Sequence, residues 1–327
     1  MENCTLGMED IRQAADRLGG SIVRTPVLAS PMLDAAAGCR VFVKAEPLQL
    51  TGSFKIRGAM NKMLTLGAER LRRGVITYSA GNHGQGVAAG ARLLGCPAVI
   101  VLPDTAPAIK VENCRWWGAE IVFYSPDTQD RETVTVAIAR ERGMTFIPPF
   151  DDIDVMAGQG TLGLELVEQL AKRNVVPDVV LVNCSGGGLA SGVITAIKHA
   201  FAHTQCYVVE PTGFEKMGRS LRSGRPEHNP TVPKTLMDAI SGPVVGALPL
   251  RTLLTHDVRG ISVTDDEALQ AVAHAFRWLK LVVEPGGAAG LAAVLARKVA
   301  LDGKRVALVC SGGNVDPAVY ARALTHS

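Results

Sequence analysis

Three short stretches of this sequence combine reactive side chains with loop-forming residues, and they lie far apart along the chain. The first is Leu50-Thr-Gly-Ser-Phe-Lys55-Ile-Arg-Gly58. It places a lysine on the first turn of a candidate helix, beside Phe54 and small residues. The positive end of the helix dipole and partial desolvation both lower the pKa of such an amine, toward use in forming an imine. A solvated lysine on an amphipathic helix is the bland alternative, since most lysines are solvated. The second stretch is Ser79-Ala-Gly-Asn-His-Gly-Gln85, which follows a strand ending at Tyr78 and opens an Ala/Gly-rich helix. Strand, glycine turn and helix start present backbone N–H groups to an anion. A carboxylate suits it; a tight turn before a capped helix is the competing reading. The third is Ser185-Gly-Gly-Gly-Leu-Ala-Ser-Gly192, again strand to helix. Three glycines let the backbone wrap an anion with the dipole behind it. No Walker lysine follows and no clean G-x-G-x-x-G forms, so a phosphate monoester fits better than a nucleotide.

The elements that must position these stretches alternate. Strand candidates are Val41–Lys44, Gly74–Tyr78, Ala98–Leu102, Glu120–Tyr124, Val179–Asn183, Cys206–Glu210 and Arg305–Cys310. Most are continuous Val/Ile/Leu blocks, as expected of strands buried on both faces. Ser53 is the expected cap of a helix running to about Leu66, and Asp127 of one running to about Arg142. Thr264-Asp-Asp-Glu267 reads as a capping box before a helix ending near Leu279. Alternating strands and helices imply an α/β fold with parallel sheets and right-handed crossovers. The rhythm breaks at Pro148–Asp154 and again at Arg222–Pro249. A fourth candidate, Cys310-Ser-Gly-Gly-Asn-Val315, follows the last strand. In open α/β sheets, residues just past the strand C-termini line the ligand crevice.

Composition narrows the field. The 327 residues suggest about two domains. Hydrophobic residues at 47% and charged residues at 20% exclude a disordered chain. The 34 Lys and Arg nearly balance the 31 Asp and Glu, with no basic block, which argues against a dedicated nucleic-acid or membrane-surface binder. Seven scattered cysteines without a C-x-x-C pair point to a reducing, cytoplasmic compartment and to no zinc site. No secretory signal and no stretch of about 18 apolar residues is present. One amine nucleophile, one phosphate cup and one carboxylate cup together describe pyridoxal 5'-phosphate handling an amino acid.

On SFKIRGA, SAGNHGQG, the glycine-rich loop and SGGN, the chain resembles the serine/threonine dehydratase and serine racemase family of pyridoxal-phosphate enzymes, from about Ile11 to Tyr320. The resemblance implies the tryptophan-synthase-β-like fold: two open parallel-sheet domains, the smaller inserted in the larger, with the cofactor in the cleft. Residues 1–68 and 151–327 would form the larger, cofactor-binding domain, and 69–150 the smaller one, which binds the substrate carboxylate. Lys55 resembles the Schiff-base lysine and proton carrier, with Phe54 flanking the cofactor ring and Asn82 hydrogen-bonding its 3-hydroxyl. Gly186, Gly187, Gly188 and Leu189 would hold the phosphate, Ser185 standing where the family commonly has another glycine. Ser311 would meet the ring nitrogen; a neutral hydroxyl there favours elimination over a long-lived carbanion. Ser79, Asn82 and His83 would bind the substrate carboxylate, with Arg131 assisting, and Glu284 lies near the cofactor in relatives. Relatives are commonly dimers, so a homodimer is expected.

Departures sharpen the expectation. Racemases of the family carry a serine directly before Gly-Asn-His as the acid on the opposite face; here it is Ala80, which has no proton to give. Pro149-Phe150-Asp151-Asp152 also resembles the threonine-dehydratase pattern. Glu210 matches an acidic metal ligand of the racemase-like branch, but Lys216 replaces the second carboxylate, so no divalent metal is expected; Lys216 either substitutes for its charge or is solvated. Ala239 stands where relatives have a glycine close to the substrate, which would reshape the side-chain pocket. The expected activity is ammonia-lyase chemistry on a 3-hydroxy amino acid, giving a 2-oxo acid and ammonia. Threonine, serine, threo-3-hydroxyaspartate and phenylserine all remain open. A racemase, a β-replacement synthase and a non-catalytic ligand-sensing relative are the competing readings. The length fits a catalytic unit alone, so isoleucine feedback through a further regulatory domain is not expected.

Overall fold

Ten strands form two sheets in the computed structural model, which describes residues 5–79, 81–106, 108–229 and 234–325. The strands are β1 (Val27–Leu28), β2 (Arg40–Ala45), β3 (Val75–Tyr78), β4 (Ala98–Pro103), β5 (Glu120–Tyr124), β6 (Thr145–Phe146), β7 (Val179–Asn183), β8 (Gln205–Pro211), β9 (Val258–Val263) and β10 (Arg305–Cys310). One sheet has the order β1-β2-β10-β7-β8-β9, the other β5-β4-β3-β6. Only β1 with β2 is antiparallel; the remaining pairings are parallel. The four strands of the smaller sheet fall between β2 and β7 in the chain, so the smaller unit is inserted in the larger.

Burial on both faces explains the apolar runs. In the larger sheet, Val41, Val43, Leu181 and Val209 face one core, while Phe42, Val180, Val182 and Val208 face the other. In the smaller sheet, Val75, Ile100 and Leu102 face one side and Ile76, Val99 and Val101 the other. Three expected strands recur with the same bounds, and β1, β6 and β9 are additional. The first two additions are two residues long, and β9 carries Arg259 and Gly260 at the sheet edge, so none shows an apolar run. Gly260 is required there: a Cβ would overlap the Cα of Gly218 in the helix Lys216–Ser223 packed across it.

Two expected caps move. Ser53 does not cap: the helix runs Lys55–Leu64 with Phe54 at its N-cap, and the Ser53 hydroxyl is buried without a hydrogen-bond partner. Asp127 is replaced as cap by Asp130, whose carboxylate accepts the Thr133 N–H at 2.8 Å. The reason is local: Asp130 is extended, at φ −91° and ψ 128°, which separates the preceding turn from the helix and sets the Asp130 side chain to accept at its start. The Thr264–Glu267 capping box forms as expected, but its α-helix spans Asp265–His274 and continues as a π-helical turn, Ala275–Leu279.

The helix Lys55–Leu64 is wedged between the helices Asn82–Leu94 and Ile153–Ala171. Glycines permit the approach: a Cβ on Gly158 would sit 2.6 Å from the Gly58 Cα, and one on Gly86 would sit 3.0 Å from the Ile56 nitrogen. Arg57 anchors the same helix. Its side chain is fully buried and forks onto two carboxylates, with Nε 2.8 Å from Glu46 Oε2 and Nη1 2.8 Å from Glu165 Oε1. Lys44 Nζ completes the cluster at 2.6 Å from Glu165 Oε2. Two cations against two carboxylates leave no net charge buried, which is what makes such a cluster tolerable.

Candidate active site

Lys55 is the first residue of its helix, and its Nζ donates to the Pro149 carbonyl at 2.8 Å. The ammonium also lies 5.3 Å from the centre of the Phe54 ring. Burial pushes its pKa down to about 8, because the charged form loses hydration that one carbonyl does not replace. An amine with this pKa has a substantial neutral fraction near physiological pH, which is the form able to attack a carbonyl carbon.

The glycine loop follows β7. Gly187, at φ +99°, caps the helix Gly188–Ala200, and Leu189 is buried on its first turn. A Cβ on Gly186 would overlap the Phe150 ring, and one on Gly188 would lie 3.0 Å from the Phe150 Cβ. Bare backbone at the positive end of a 13-residue helix is a donor set for a phosphate. Ser311, just past β10, is nearly buried, and its Oγ accepts a hydrogen bond from Asn183 Nδ2 at 3.1 Å. The Ser311 carbonyl accepts the Phe54 N–H at 3.1 Å, tying the last strand to the lysine segment. A desolvated amine, a glycine cradle and a neutral hydroxyl thus fit the reactive carbon, phosphate and ring nitrogen of pyridoxal phosphate.

Opposite lies the start of the helix Asn82–Leu94. Ser79 Oγ accepts the Gly81 N–H at 3.2 Å. Gly84 lets the turn fold onto the helix, since a Cβ there would overlap the Ser79 carbonyl oxygen. No side chain caps this helix, so its first N–H groups are available to an anion. The His83 ring points elsewhere: Nε2 donates to the Ile147 carbonyl at 3.0 Å, and Nδ1 is buried without a partner. Burial, and then the charge of Lys55, push its pKa down to about 3, so the ring is neutral and brings no cation to a carboxylate. Arg131 is exposed at the start of its helix, with its guanidinium 4.7 Å from the centre of the Tyr78 ring. Ala80 lies outside the described residues.

Asn82 joins the two walls. Its Nδ2 donates to Glu284 Oε1 at 2.6 Å, and its Oδ1 accepts from Asn314 Nδ2 at 2.7 Å. Burial raises the Glu284 pKa to about 7 against the hydrogen bond from Asn82; the Asp238 carboxylate adds to the rise and the Lys110 ammonium opposes it. Behind the glycine loop, Lys216 is fully buried rather than solvated, its Nζ 3.7 Å from Glu210 Oε1. Glu210 also accepts the N–H groups of Met217 at 2.9 Å and Gly218 at 2.8 Å.

Sequence reasoning did not find Pro149 as the partner of Lys55, Asn183 as the partner of Ser311, or Asn314 as the partner of Asn82. Asn183 left one signal, a polar residue closing an otherwise apolar strand.

A family model described as "Pyridoxal-phosphate dependent enzyme" matches residues 19–312. The L-threo-3-hydroxyaspartate ammonia-lyase of Pseudomonas sp is 40% identical over 317 residues, covering 96% of this chain and 97% of that protein. The L-threonine ammonia-lyase of Thermotoga maritima is 40% identical over 311 residues, covering 94% of this chain and 76% of that protein. The structure of maize serine racemase superposes with a TM-score of 0.91 at 34% identity, covering 98% of this chain and 97% of that one.

Proposed function

The chain belongs to the pyridoxal-phosphate dependent enzymes, and we propose that it is an ammonia-lyase of a 3-hydroxy amino acid in which Lys55 is both cofactor tether and base. The observation that carries this reading is Lys55 at the first turn of its helix, its Nζ held by the Pro149 carbonyl at 2.8 Å and its pKa pushed down by burial. When bound, the cofactor supplies the electron-withdrawing system that acidifies the substrate α-proton.

This chain's residues supply the rest. Backbone N–H groups of Gly186, Gly187, Gly188 and Leu189 hold the phosphate at the helix start. Ser311 Oγ, oriented by Asn183, meets the ring nitrogen as a neutral partner, and Phe54 flanks the ring. The N–H groups at Asn82 and His83, with Ser79 Oγ, hold the substrate α-carboxylate; His83 contributes backbone and shape rather than ring charge, and Arg131 assists from the rim. With the cofactor bound, Lys55 Nζ in its neutral form would take the α-proton, and the β-hydroxyl would leave together with a proton as water. The product hydrolyses to a 2-oxo acid and ammonia.

A dehydratase rather than a racemase is favoured by the residue type at Ala80, since inversion needs a second proton donor on the opposite face. Retention of Lys55, the glycine cradle and Ser311 together speaks against a non-catalytic sensor. A reducing compartment fits the six free thiols among the described cysteines, and a homodimer, tested by size-exclusion chromatography, completes the reading. Among the described residues no helix is long and apolar enough to cross a membrane.

The deciding experiment is 2-oxo acid release by the holoenzyme from threonine, serine, threo-3-hydroxyaspartate and phenylserine. Bound cofactor with no turnover of any of them would return the sensor reading.

A further inference from the structure

A cavity of about 370 Å³ opens on the smaller unit, between the helix Arg131–Arg142 and the edge strand β6. That is the size of a small-molecule site. Its walls are mainly apolar. Val136 lines it from the helix and stands 58% exposed, while Met144 and Phe146 line it from the β6 side. Tyr78, the last residue of β3, lines it as well.

One charge in this wall is left over. Arg142 pairs with Glu120 at 2.7 Å and Arg73 with Glu69 at 2.5 Å. Arg140 lines the cavity and makes no hydrogen bond or ion pair among the described residues. Glu132, the other charged lining residue, does not neutralise it. Its carboxylate accepts from the Tyr78 hydroxyl at 3.0 Å, and it lies eight residues earlier, about 12 Å along the helix at 1.5 Å per residue. The cavity therefore offers an apolar bed with a free cation toward one end.

The aromatic part of the wall is tied to the active site. The Tyr78 and Phe146 rings stack with centroids 5.3 Å apart, and the Arg131 guanidinium rests 4.7 Å from the Tyr78 centroid. Tyr78 directly precedes Ser79 of the carboxylate cup. Phe146 directly precedes Ile147, whose carbonyl accepts from His83 Nε2 at 3.0 Å and from Thr77 Oγ1 at 2.8 Å. An empty space beside the ring pair forfeits packing and leaves the rings room to shift. A body packed into it holds both rings in place, and with them Arg131 and the loop that follows β3.

We propose that this cavity is an effector site for a small carboxylate with an apolar body, the carboxylate on Arg140 and the body against Val136, Phe146 and Tyr78, and that filling it tightens the substrate-carboxylate cup. Two distinct sites then share one coupling free energy through the Tyr78–Phe146 pair. The coupling rests on the ammonia-lyase reading above, whereas the binding does not.

The probe is 3-phenylpropionate, with 3-phenylpropanol as its uncharged counterpart and acetate as a carboxylate without a body. Isothermal titration calorimetry on the holoenzyme reads binding. Initial rates of 2-oxo acid release from the 3-hydroxy amino acid turned over fastest read the coupling. 3-Phenylpropionate is expected to bind about tenfold or more tighter than either control, and Arg140→Glu to weaken it by the same order, as for a lost hydrogen bond to a charged group. Val136→Trp fills the cavity from an exposed position and is expected to abolish binding. Both variants should keep the basal kcat and KM. In the wild type the saturating probe is expected to lower the substrate KM about fivefold, an effect absent from both variants. Competitive inhibition that persists in both variants would put the probe in the substrate cup and overturn the proposal. Equal affinity for all three compounds, no binding of 3-phenylpropionate, or binding that leaves KM unmoved or raised would overturn it too. If no 3-hydroxy amino acid is turned over, the ammonia-lyase reading fails and the coupling with it, while the calorimetry still decides whether the site exists.

Discussion

Asn82 Nδ2 lies 2.6 Å from Glu284 Oε1, although the two residues are 202 positions apart and stand on opposite walls of the cleft. A buried carboxyl with a pKa near 7 is thereby held at the place where the two units meet. Burial holds this carboxyl well above the ordinary carboxylate value of 4.5. Between those values the folded state binds more protons than the unfolded state, so stability falls as pH rises through this window and stays lowered above it. Glu284→Gln is expected to flatten that part of the stability–pH curve of the apo-protein, by up to about 3 kcal/mol for a shift of this size. Thermal melts from pH 4 to 8 measure it; parallel curves for wild type and variant would contradict the assignment.

Lys55→Ala is expected to abolish 2-oxo acid release, by roughly a thousandfold or more, as expected when a single group serves as both tether and base. The borohydride-sensitive visible absorbance should vanish with it. In the wild type, cofactor attachment to the apo-protein should speed up about tenfold per pH unit below the Lys55 pKa and level off above about 8, since only the neutral amine attacks. Stopped-flow absorbance follows this directly.

Gly186→Ala places a methyl against the Phe150 ring. Either the ring or the loop must move, and the loop carries the phosphate donors. Cofactor affinity is expected to fall by about tenfold or more, the loss of one to two hydrogen bonds to a charged group. Spectroscopic titration of the apo-protein checks it. The double variant with Phe150→Ala should recover part of the loss, because it removes the obstacle.

Arg57→Met leaves Glu46 and Glu165 facing each other with Lys44 alone between them. Removing one partner of a buried pair costs about 3–5 kcal/mol. Denaturant unfolding of the apo-protein is expected to show a loss of this order, with Arg57→Lys intermediate because an ammonium cannot fork onto two carboxylates.

The parallel sheets were legible because Val/Ile/Leu blocks such as Val179–Asn183 are buried on both faces and so carry no polar alternation. Lys55, the glycine loop and Ser311 were legible because each sits at a strand end or a helix start, where chain direction alone places it at the crevice. Their supports were not. Lys55 meets Pro149 across 94 positions, and Lys110 meets Asp238 across 128, so only the finished topology brings them together. The resemblance implied that His83 binds the substrate carboxylate; where its ring goes was not legible, because its hydrogen bond to Ile147 depends on β6, a two-residue strand with no sequence signal. The helix start at Asp130 rather than Asp127 turned on the extended backbone at Asp130, and both positions carry the same residue type.

The glycine contacts around Lys55–Leu64 have a mechanical consequence. Backbone touches backbone on both flanks, at Gly58 with Gly158 and at Gly86 with Ile56, and Arg57 is pinned between two carboxylates. The reacting amine therefore stands on a post that neither neighbour can slide past. Any breathing of the cleft has to be taken up by its rim, where exposed groups such as Lys110 and Asp238 meet, and the substrate is brought to a stationary base.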